Sequence, residues 1–287
     1  MSLEPKMIKA LPAKTVKLLV SAALKEDLGS KGDITTNATI SKKQQWRGAL
    51  VARQAGVIAG LDLAKEAFRQ MDSSVKFTIK KADGTAVKPK DVIATLEGSA
   101  RAIITGERVA LNFLSHLSGI ATATHNLVNA IKPHKARISC TRKTTPTLRL
   151  IEKYAVRAGG GTNHRFGLYD AVLIKDNHIA AAGGVRPAVL AARKAVGKKV
   201  KIEVEVDTLD QVQELLDLPI DIVLLDNMPP AMLEKAVRMI KGRFVTEASG
   251  RVNIDTVRPI AASGVDVISV GSITHSAPIL DIGLDEA

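Results

Sequence analysis

The chain reads as an α/β protein, with an α+β layer domain first and a parallel sheet of β/α units after it. Three observations predict this. After Lys135, six short apolar runs alternate with helical segments, the pattern of right-handed βαβ units. Each of these runs is followed at once by polar, chemistry-bearing residues. Before Lys135 the β-prone runs follow one another with a single short helix between them, a different rhythm and so a different domain. A length of 287 residues gives room for one large domain or two smaller ones.

Taken in order, Thr15 to Leu28 carries Val16, Leu19, Val20, Ala23 and Leu24 at spacings of three and four, which predicts an amphipathic helix ending at Gly29. Strands are expected at Gly48 to Ala52, Gly56 to Ala59, Val75 to Ile79 and Val92 to Leu96, with a turn at Asp83-Gly84 and a helix at Leu63 to Met71. A longer helix from about Thr105 to Ala130 leads into the second half. There the apolar runs are Arg137 to Cys140, Ala171 to Ile174, Lys201 to Val206, Ile220 to Leu225, Phe244 to Glu247 and Val265 to Val270. Six units favour a barrel or near-barrel, whose strand ends converge on one mouth. In an open doubly wound sheet they would be strung along an edge. No G-x-G-x-x-G follows a strand, so the dinucleotide-binding reading loses its main support.

Composition narrows the function classes. The chain has five Phe, two Tyr and one Trp, too few for base-stacking platforms. No apolar run approaches the roughly 20 residues needed to span a bilayer, and no secretory leader pattern is present, so a soluble, cytoplasmic protein is expected. One cysteine, Cys140, excludes an internal disulfide and a Cys-based zinc site. Met1-Ser2-Leu3 reads as a foreign leader and is set aside. The net charge is +12, and it is concentrated: 16 Lys and Arg face 3 Asp and Glu between Lys132 and Lys201. Arg193, Lys194, Lys198, Lys199 and Lys201 flank a helix end and are expected to face solvent. The rest of the excess sits at strand ends and calls for an anionic ligand, either nucleic acid or a small polyanion.

The densest constellation is Thr141-Arg142-Lys143-Thr144-Thr145-Pro146 with Asn163-His164-Arg165 and Lys175. Arginines grip carboxylate or phosphate bidentately, and lysines act on phosphate as point charges. The bland alternative pairs Arg142 and Lys143 with Glu205 and Asp226. Gly159-Gly160-Gly161 either brings backbone N–H groups to an anion or simply ends the helix Leu148 to Ala158. His164 is placed to bond a substrate carboxylate, to act as a general acid, or to serve the core. Glu205 and Asp226 end adjacent strands, where Mg²⁺ shared with a substrate diphosphate would sit, or where they would neutralise Lys175. Glu247-Ala-Ser249-Gly250 and Ser269-Val-Gly271-Ser272-Ile273 fit the phosphate site that barrels place after their last strands, aided by the positive end of the following helix.

Together Thr141-Arg-Lys-Thr-Thr-Pro, Gly-Gly-Gly-Thr-Asn163-His-Arg, Leu173-Ile-Lys-Asp-Asn-His178, Glu203-Val-Glu-Val-Asp207, Leu225-Asp-Asn227 and Glu247-Ala-Ser-Gly250 closely resemble the quinolinate phosphoribosyltransferase (nicotinate-nucleotide pyrophosphorylase, carboxylating) family. The likeness extends to Glu26-Asp-Leu-Gly29, Gly32-Asp-Ile-Thr-Thr36 and Gly106-Glu-Arg-Val-Ala-Leu-Asn112. Ala158, where many members carry Cys, and Thr162, inside the Gly-rich run, are minor departures. The resemblance implies an N-terminal α/β sandwich over 1–115, joined by the tail 276–287, and an incomplete parallel β/α barrel of the type II phosphoribosyltransferases over 116–275. It also implies a homodimer. By motif matching, Arg108 of the neighbouring subunit, Thr141, Arg142, His164, Arg165 and Lys175 would bind quinolinate. Lys143, Glu205, Asp226, Ser249, Gly250, Gly271 and Ser272 would hold phosphoribosyl pyrophosphate, with Mg²⁺ at Glu205 and Asp226. Catalysis would fall to Lys143, Lys175, Glu205 and Asp226.

Three rival readings stand at this level: a Schiff-base aldolase using Lys175; a nucleic-acid binder, disfavoured because the charge is tied to strand ends and aromatics are scarce, so that neither nucleic acid nor membrane is expected as a partner; and a paralogue with the same barrel and another acceptor, such as a protein associated with molybdate transport, against which the full set of Arg142, Arg165, His164 and Lys175 argues.

Overall fold

The structure, a computed structural model, describes residues 8–287, so Met1-Ser2-Leu3 lies outside it. The described residues gather into two compact units. The first runs up to His125 and adds Leu150–Gly160 and Ala277–Ala287; the second comprises Asn126–Arg149 and Gly161–Ser276. The boundary expected at 115/116 falls inside one continuous helix, Ala100–Ala130.

In the first unit α1 (Ala13–Leu28) and α2 (Ile34–Thr39) precede β1 (Gln45–Ala52) and β2 (Gly56–Val57). Then come α3 (Leu61–Met71), β3 (Lys76–Ile79), β4 (Ala86–Val87), β5 (Val92–Ser99) and α4 (Ala100–Ala130). The short α2, whose start Asp33 caps by accepting from Thr36 N at 2.8 Å, has too little apolar periodicity to be seen in sequence. A four-stranded antiparallel sheet carries the order β12-β1-β5-β3, in which the final strand β12 (Ile282–Glu286) zips onto β1 from Gly48↔Glu286 to Ala52↔Ile282. Phe68, Leu63, Leu50 and Ile93 are fully buried, and α1 packs on α3. Asp83, in the predicted turn, caps α3 from a distance: its carboxylate accepts from Gly60 N at 2.9 Å, Leu61 N at 3.3 Å and Tyr154 Oη at 2.5 Å. Burial raises the Asp83 carboxyl above its ordinary value despite these donors.

The second unit contains β6 (Arg137–Ser139), β7 (Val172–Ile174), β8 (Ile202–Val206), β9 (Ile222–Asp226), β10 (Val245–Ser249) and β11 (Val267–Ser269). These are the six strands predicted, with ends shifted by one or two residues. They form one parallel sheet in the order β6-β11-β10-β9-β8-β7. Sequence neighbours pair along the sheet, and the first strand closes onto the last, which is barrel order rather than the reversal of a doubly wound sheet. Thr162 bridges to Ser139 in parallel on the free side of β6, so the ring is interrupted only between Thr162 and β7. The chain between β6 and β7 carries α5 (Arg149–Ala158), which from Leu150 on belongs to the first unit, and the helices of the second unit are α6 (Asp176–Ala182), α7 (Val185–Val196), α8 (Leu209–Leu215), α9 (Pro230–Ile240), α10 (Val257–Ala262) and α11 (Ser272–His275). β9, Ile-Val-Leu-Leu before its terminal Asp226, is a nearly continuous apolar run because both of its faces are covered, whereas β8 alternates Ile, Val and Val with Glu203 and Glu205.

One expectation is corrected here, and of the two readings of the glycine triplet the helix-ending one is supported at Gly159 and Gly160. Arg193 does not face solvent with its neighbours: its guanidinium donates to Pro219 O at 2.9 Å, Gly197 O at 2.7 Å and Val200 O at 3.1 Å, and pairs with Asp221 at 2.7 Å. It ties the end of α7 to the strand starts, while Lys194, Lys198, Lys199 and Lys201 are exposed. Gly159 and Gly160 are structural. Their N–H groups go to Ala155 O and Arg157 O at the end of α5, and Gly160 takes φ +89°. A β-carbon at Gly159 would press into Ala121 O and the Thr124 side chain.

Candidate active site

The carboxyl ends of the strands surround a cleft of about 700 Å³. Thr141, Arg142 and Lys143 after β6, His164 and Arg165 after the Thr162 bridge, Lys175 after β7, Glu205, Asp226, Ser249-Gly250 and Gly271-Ser272 all line it. Every candidate named from sequence is therefore brought together except Arg108, which is exposed on α4 and is not among the lining residues.

Strand pleating sorts the lining into two levels. Residues two apart on a strand face the same way, so Glu203 and Glu205 on β8, and Glu247 and Ser249 on β10, lie one above the other on the inner face. The lower level is a buried cluster. His164 Nε2 lies 2.9 Å from Glu203 Oε2 and 3.6 Å from Glu247 Oε1, and Ser269 Oγ donates to Glu247 Oε1. Both glutamates are under 5 % exposed, and Glu203 Oε1 has no hydrogen-bond partner. Burial, with the charge of Glu203 beside it, pushes the Glu247 carboxyl up to about 7, against the pull of His164 and the Ser269 hydroxyl. Sequence reasoning quoted Glu203 and Glu247 inside motifs and assigned them no role. The readable signal was a second acid two residues before each strand-end residue on the same face. The general-acid role considered for His164 now has a constraint, because Nε2 is held by Glu203.

The upper level divides into a cationic and an acidic side. On the cationic side Arg165 Nη1 donates to Ala171 O at 2.9 Å, and the Nε atoms of both Arg142 and Arg165 are buried without a hydrogen-bond partner. Burial, and then the facing charge of Arg142, lower the Arg165 guanidinium below its ordinary value. Two like charges so placed are stabilised by an anion that reaches both. The bland pairing of Arg142 and Lys143 with strand-end acids does not occur among the described residues. Instead Glu205 binds Lys175, and Asp226 accepts from Ser249 Oγ and, at 2.6 Å, from Asn227 Nδ2. The Ser249–Asp226 bond follows from the register, which sets these two residues side by side. Gly250 has φ +99°, and a β-carbon there would collide with the Asn227 side chain and lie 2.9 Å from Asn227 N. Only glycine keeps this turn open beside Asp226.

Opposite, Lys143 N donates to Thr141 Oγ1 at 3.0 Å and Thr274 Oγ1 donates to Lys143 O at 2.8 Å, so the lysine loop is fastened to the α11 turn. The positive helix end expected there is corrected: α11 is four residues long, and what it offers an anion is Ser272 and loop amides rather than a helix field. For Mg²⁺, hard oxygen donors are present in Glu205 and Asp226, yet each is already bonded to a neighbour. They fit a cation that arrives with a substrate diphosphate better than one held by protein alone.

A barrel-ordered sheet whose mouth sets paired arginines against strand-end acids, hydroxyls and glycines defines a group-transfer enzyme acting on small polyanions. Comparison narrows the class. The family model of the quinolinate phosphoribosyl transferase N-terminal domain matches residues 33–118, and that of the C-terminal domain matches 120–285. A probable nicotinate-nucleotide pyrophosphorylase (carboxylating) of Bacillus subtilis is 43 % identical over 270 residues, 94 % of this chain and 93 % of that protein. The chloroplastic nicotinate-nucleotide pyrophosphorylase (carboxylating) of Oryza sativa is 42 % identical over 96 % of this chain and 78 % of its own. The solved nicotinate-nucleotide pyrophosphorylase of Francisella tularensis superposes with a TM-score of 0.93 at 38 % identity, covering 99 % of this chain and 100 % of that one. The chain belongs to the quinolinate phosphoribosyl transferase family.

Proposed function

We propose that this chain transfers the phosphoribosyl group of phosphoribosyl pyrophosphate to quinolinate with loss of CO₂, giving nicotinate mononucleotide and pyrophosphate for NAD biosynthesis. The observation that carries the reading is the pair of adjacent guanidinium groups, Arg142 and Arg165, each with a buried, unpartnered Nε, in the same cleft as the strand-end acids. A pyridine with two neighbouring carboxylates matches that pair, and His164, held from beneath by Glu203, adds a third donor. Lys143, Ser249, Gly250, Gly271 and Ser272 take the phosphates of the donor.

The ring nitrogen contributes its lone pair to the anomeric carbon as the bond to the diphosphate oxygen breaks. Positive charge that develops on the ribose is favoured by Glu205 and Asp226. Lys143 offsets the charge of the departing diphosphate, and Mg²⁺, if bound with it near Glu205 and Asp226, would neutralise more of that charge. Holding donor and acceptor in one cleft supplies much of the rate. As the C–CO₂ bond breaks, its electron pair stays on the adjacent ring carbon, where the positive charge of the quaternised nitrogen stabilises it, and that carbon then takes a proton as CO₂ departs.

The enzyme acts as a homodimer in which Arg108, exposed on α4, reaches the neighbouring subunit's cleft, and it works in the cytoplasm. In support of a soluble setting, no helix among the described residues is long and apolar enough to cross a membrane. Lys175 is committed to an ion pair with Glu205, which disfavours the aldolase reading. The test is formation of nicotinate mononucleotide and CO₂ from quinolinate, phosphoribosyl pyrophosphate and Mg²⁺, run beside nicotinate. Turnover with quinolinate alone supports the reading. Turnover with neither acceptor transfers the assignment to the paralogue with another anionic acceptor.

A further inference from the structure

Arg149 is a third arginine near the cationic side of the cleft, and nothing in the motif reading gave it a role. It is half-buried at the first position of α5. A cation in the first turn of a helix meets the positive end of the helix dipole, so its placement calls for compensating acceptors. Three are present. Nε donates to Thr144 Oγ1 at 3.0 Å, Nη2 to Arg142 O at 3.3 Å, and Nη1 to Phe166 O at 3.0 Å. The first two belong to the loop after β6, which carries Arg142 and Lys143. The third belongs to the loop that carries His164 and Arg165. These loops flank the place where the barrel ring is open, between Thr162 and β7, so strand pairing does not hold the second loop on its far side. Within that loop, Asp170 accepts from Phe166 N at 2.6 Å and Gly167 N at 3.0 Å, which stiffens the loop without joining it to the other. Thr147, two residues before Arg149, takes φ +69°, a left-handed turn in a threonine that brings the chain round to α5.

We infer that Arg149 is a positioning residue for the acceptor: its planar guanidinium clamps the two loops together and so fixes the separation of Arg142 and Arg165. The inference rests on the proposed acceptor only for the identity of the dianion. Its geometric content, one side chain coupling two loops, stands apart from it. All three guanidinium nitrogens are in use toward neutral oxygens of the two loops, so Arg149 orders the cationic side and does not itself present a free fork to substrate. Lysine at 149 keeps the charge and loses the fork, because one ammonium on a flexible stem cannot serve acceptors on two loops at once with fixed geometry.

The experiment compares the full-length unsubstituted enzyme with Arg149→Lys and Arg149→Ala. In steady-state assays, KM for quinolinate is expected to rise about tenfold or more in Arg149→Lys, and severalfold more than KM for phosphoribosyl pyrophosphate, to whose site the same loops contribute Lys143 alone, and millimolar guanidinium restores quinolinate KM in Arg149→Ala. A parallel rise of both KM values, or no rise in either, overturns the inference. Amide hydrogen exchange, read without any substrate, supplies the second arm. In Arg149→Ala, segments 141–146 and 164–170 are expected to exchange faster together while β8 to β10 keep the unsubstituted rate. Faster exchange in one loop alone, or throughout the sheet, overturns the clamp. Failure of the unsubstituted enzyme to turn over quinolinate would count against the proposed function, and the exchange arm would still decide the clamp.

Discussion

The two sides of the cleft are built on opposite electrostatic plans. On the acidic side each carboxylate has its partner within the chain: Glu205 has Lys175, and Asp226 has Ser249 and Asn227. On the cationic side Arg142 and Arg165 face one another with unpartnered Nε atoms, while a separate arginine is used up in tying their loops together. The acids are paired within the chain, whereas the guanidinium Nε atoms are not. An anion that reaches both guanidinium groups offsets their mutual repulsion and the burial of their Nε atoms, which a neutral acceptor would not do.

The sharpest way to break this contrast is Arg142→Ala, which is expected to weaken quinolinate binding by about 2 to 4 kcal/mol, since a charge-assisted pair is lost in a desolvated pocket. Phosphoribosyl pyrophosphate affinity should change by less than about threefold, because Arg142 is not among the residues proposed to hold the donor. Calorimetric titration with each substrate separately reads this, and near-normal quinolinate affinity would sink the assignment.

The floor beneath both sides makes a pH prediction. The Glu247 carboxyl is raised in the folded chain to about 7 from an ordinary 4.5, so the folded state retains a proton that the unfolded chain has lost between those values. The stability contribution is therefore fully present below about pH 4.5 and is lost as pH rises through about 7. Denaturant melts across this range should show a downward slope that Glu247→Gln removes, and an unchanged slope in that variant would assign the effect elsewhere.

On the acidic side Gly250→Ala should cost about 1 to 3 kcal/mol of stability, from the left-handed backbone and the collision with Asn227. It should raise KM for phosphoribosyl pyrophosphate severalfold with little effect on quinolinate. An equal effect on both substrates would dissolve the distinction between the sides. Ser249→Ala is the mildest of the set. It removes one hydroxyl from Asp226 and is expected to shift donor binding by about 1 kcal/mol, visible in the same titration.

Much of this molecule was legible without coordinates. Short runs rich in Val, Ile and Leu, recurring between helices, name the strands of a parallel sheet because such strands are covered on both faces. The placement of Arg142, Lys175, Glu205 and Asp226 immediately after them predicts a common mouth, and all four line it. Less was legible where the reason is not local. The α2 turn depends on the Asp33 cap, and β12 exists because β1 has a free edge to receive it. The tail Ile282–Glu286 has no alternation strong enough to declare that by itself.

Sequence by itself determined the six strands of the parallel sheet and which side chains meet at their ends, since these follow from periodicity and from residues a fixed number of positions past each run, while the family followed from the resemblance of its motifs. Tertiary structure alone decided who partners whom. His164 is held by two acids that lie 39 and 83 positions further along the chain, on different strands, and Arg149 joins loops separated by the whole of α5. Hydrogen bonds across the barrel depend on register and pleat, in which a shift of one residue turns every side chain to the other face. No local pattern in the chain encodes those distances.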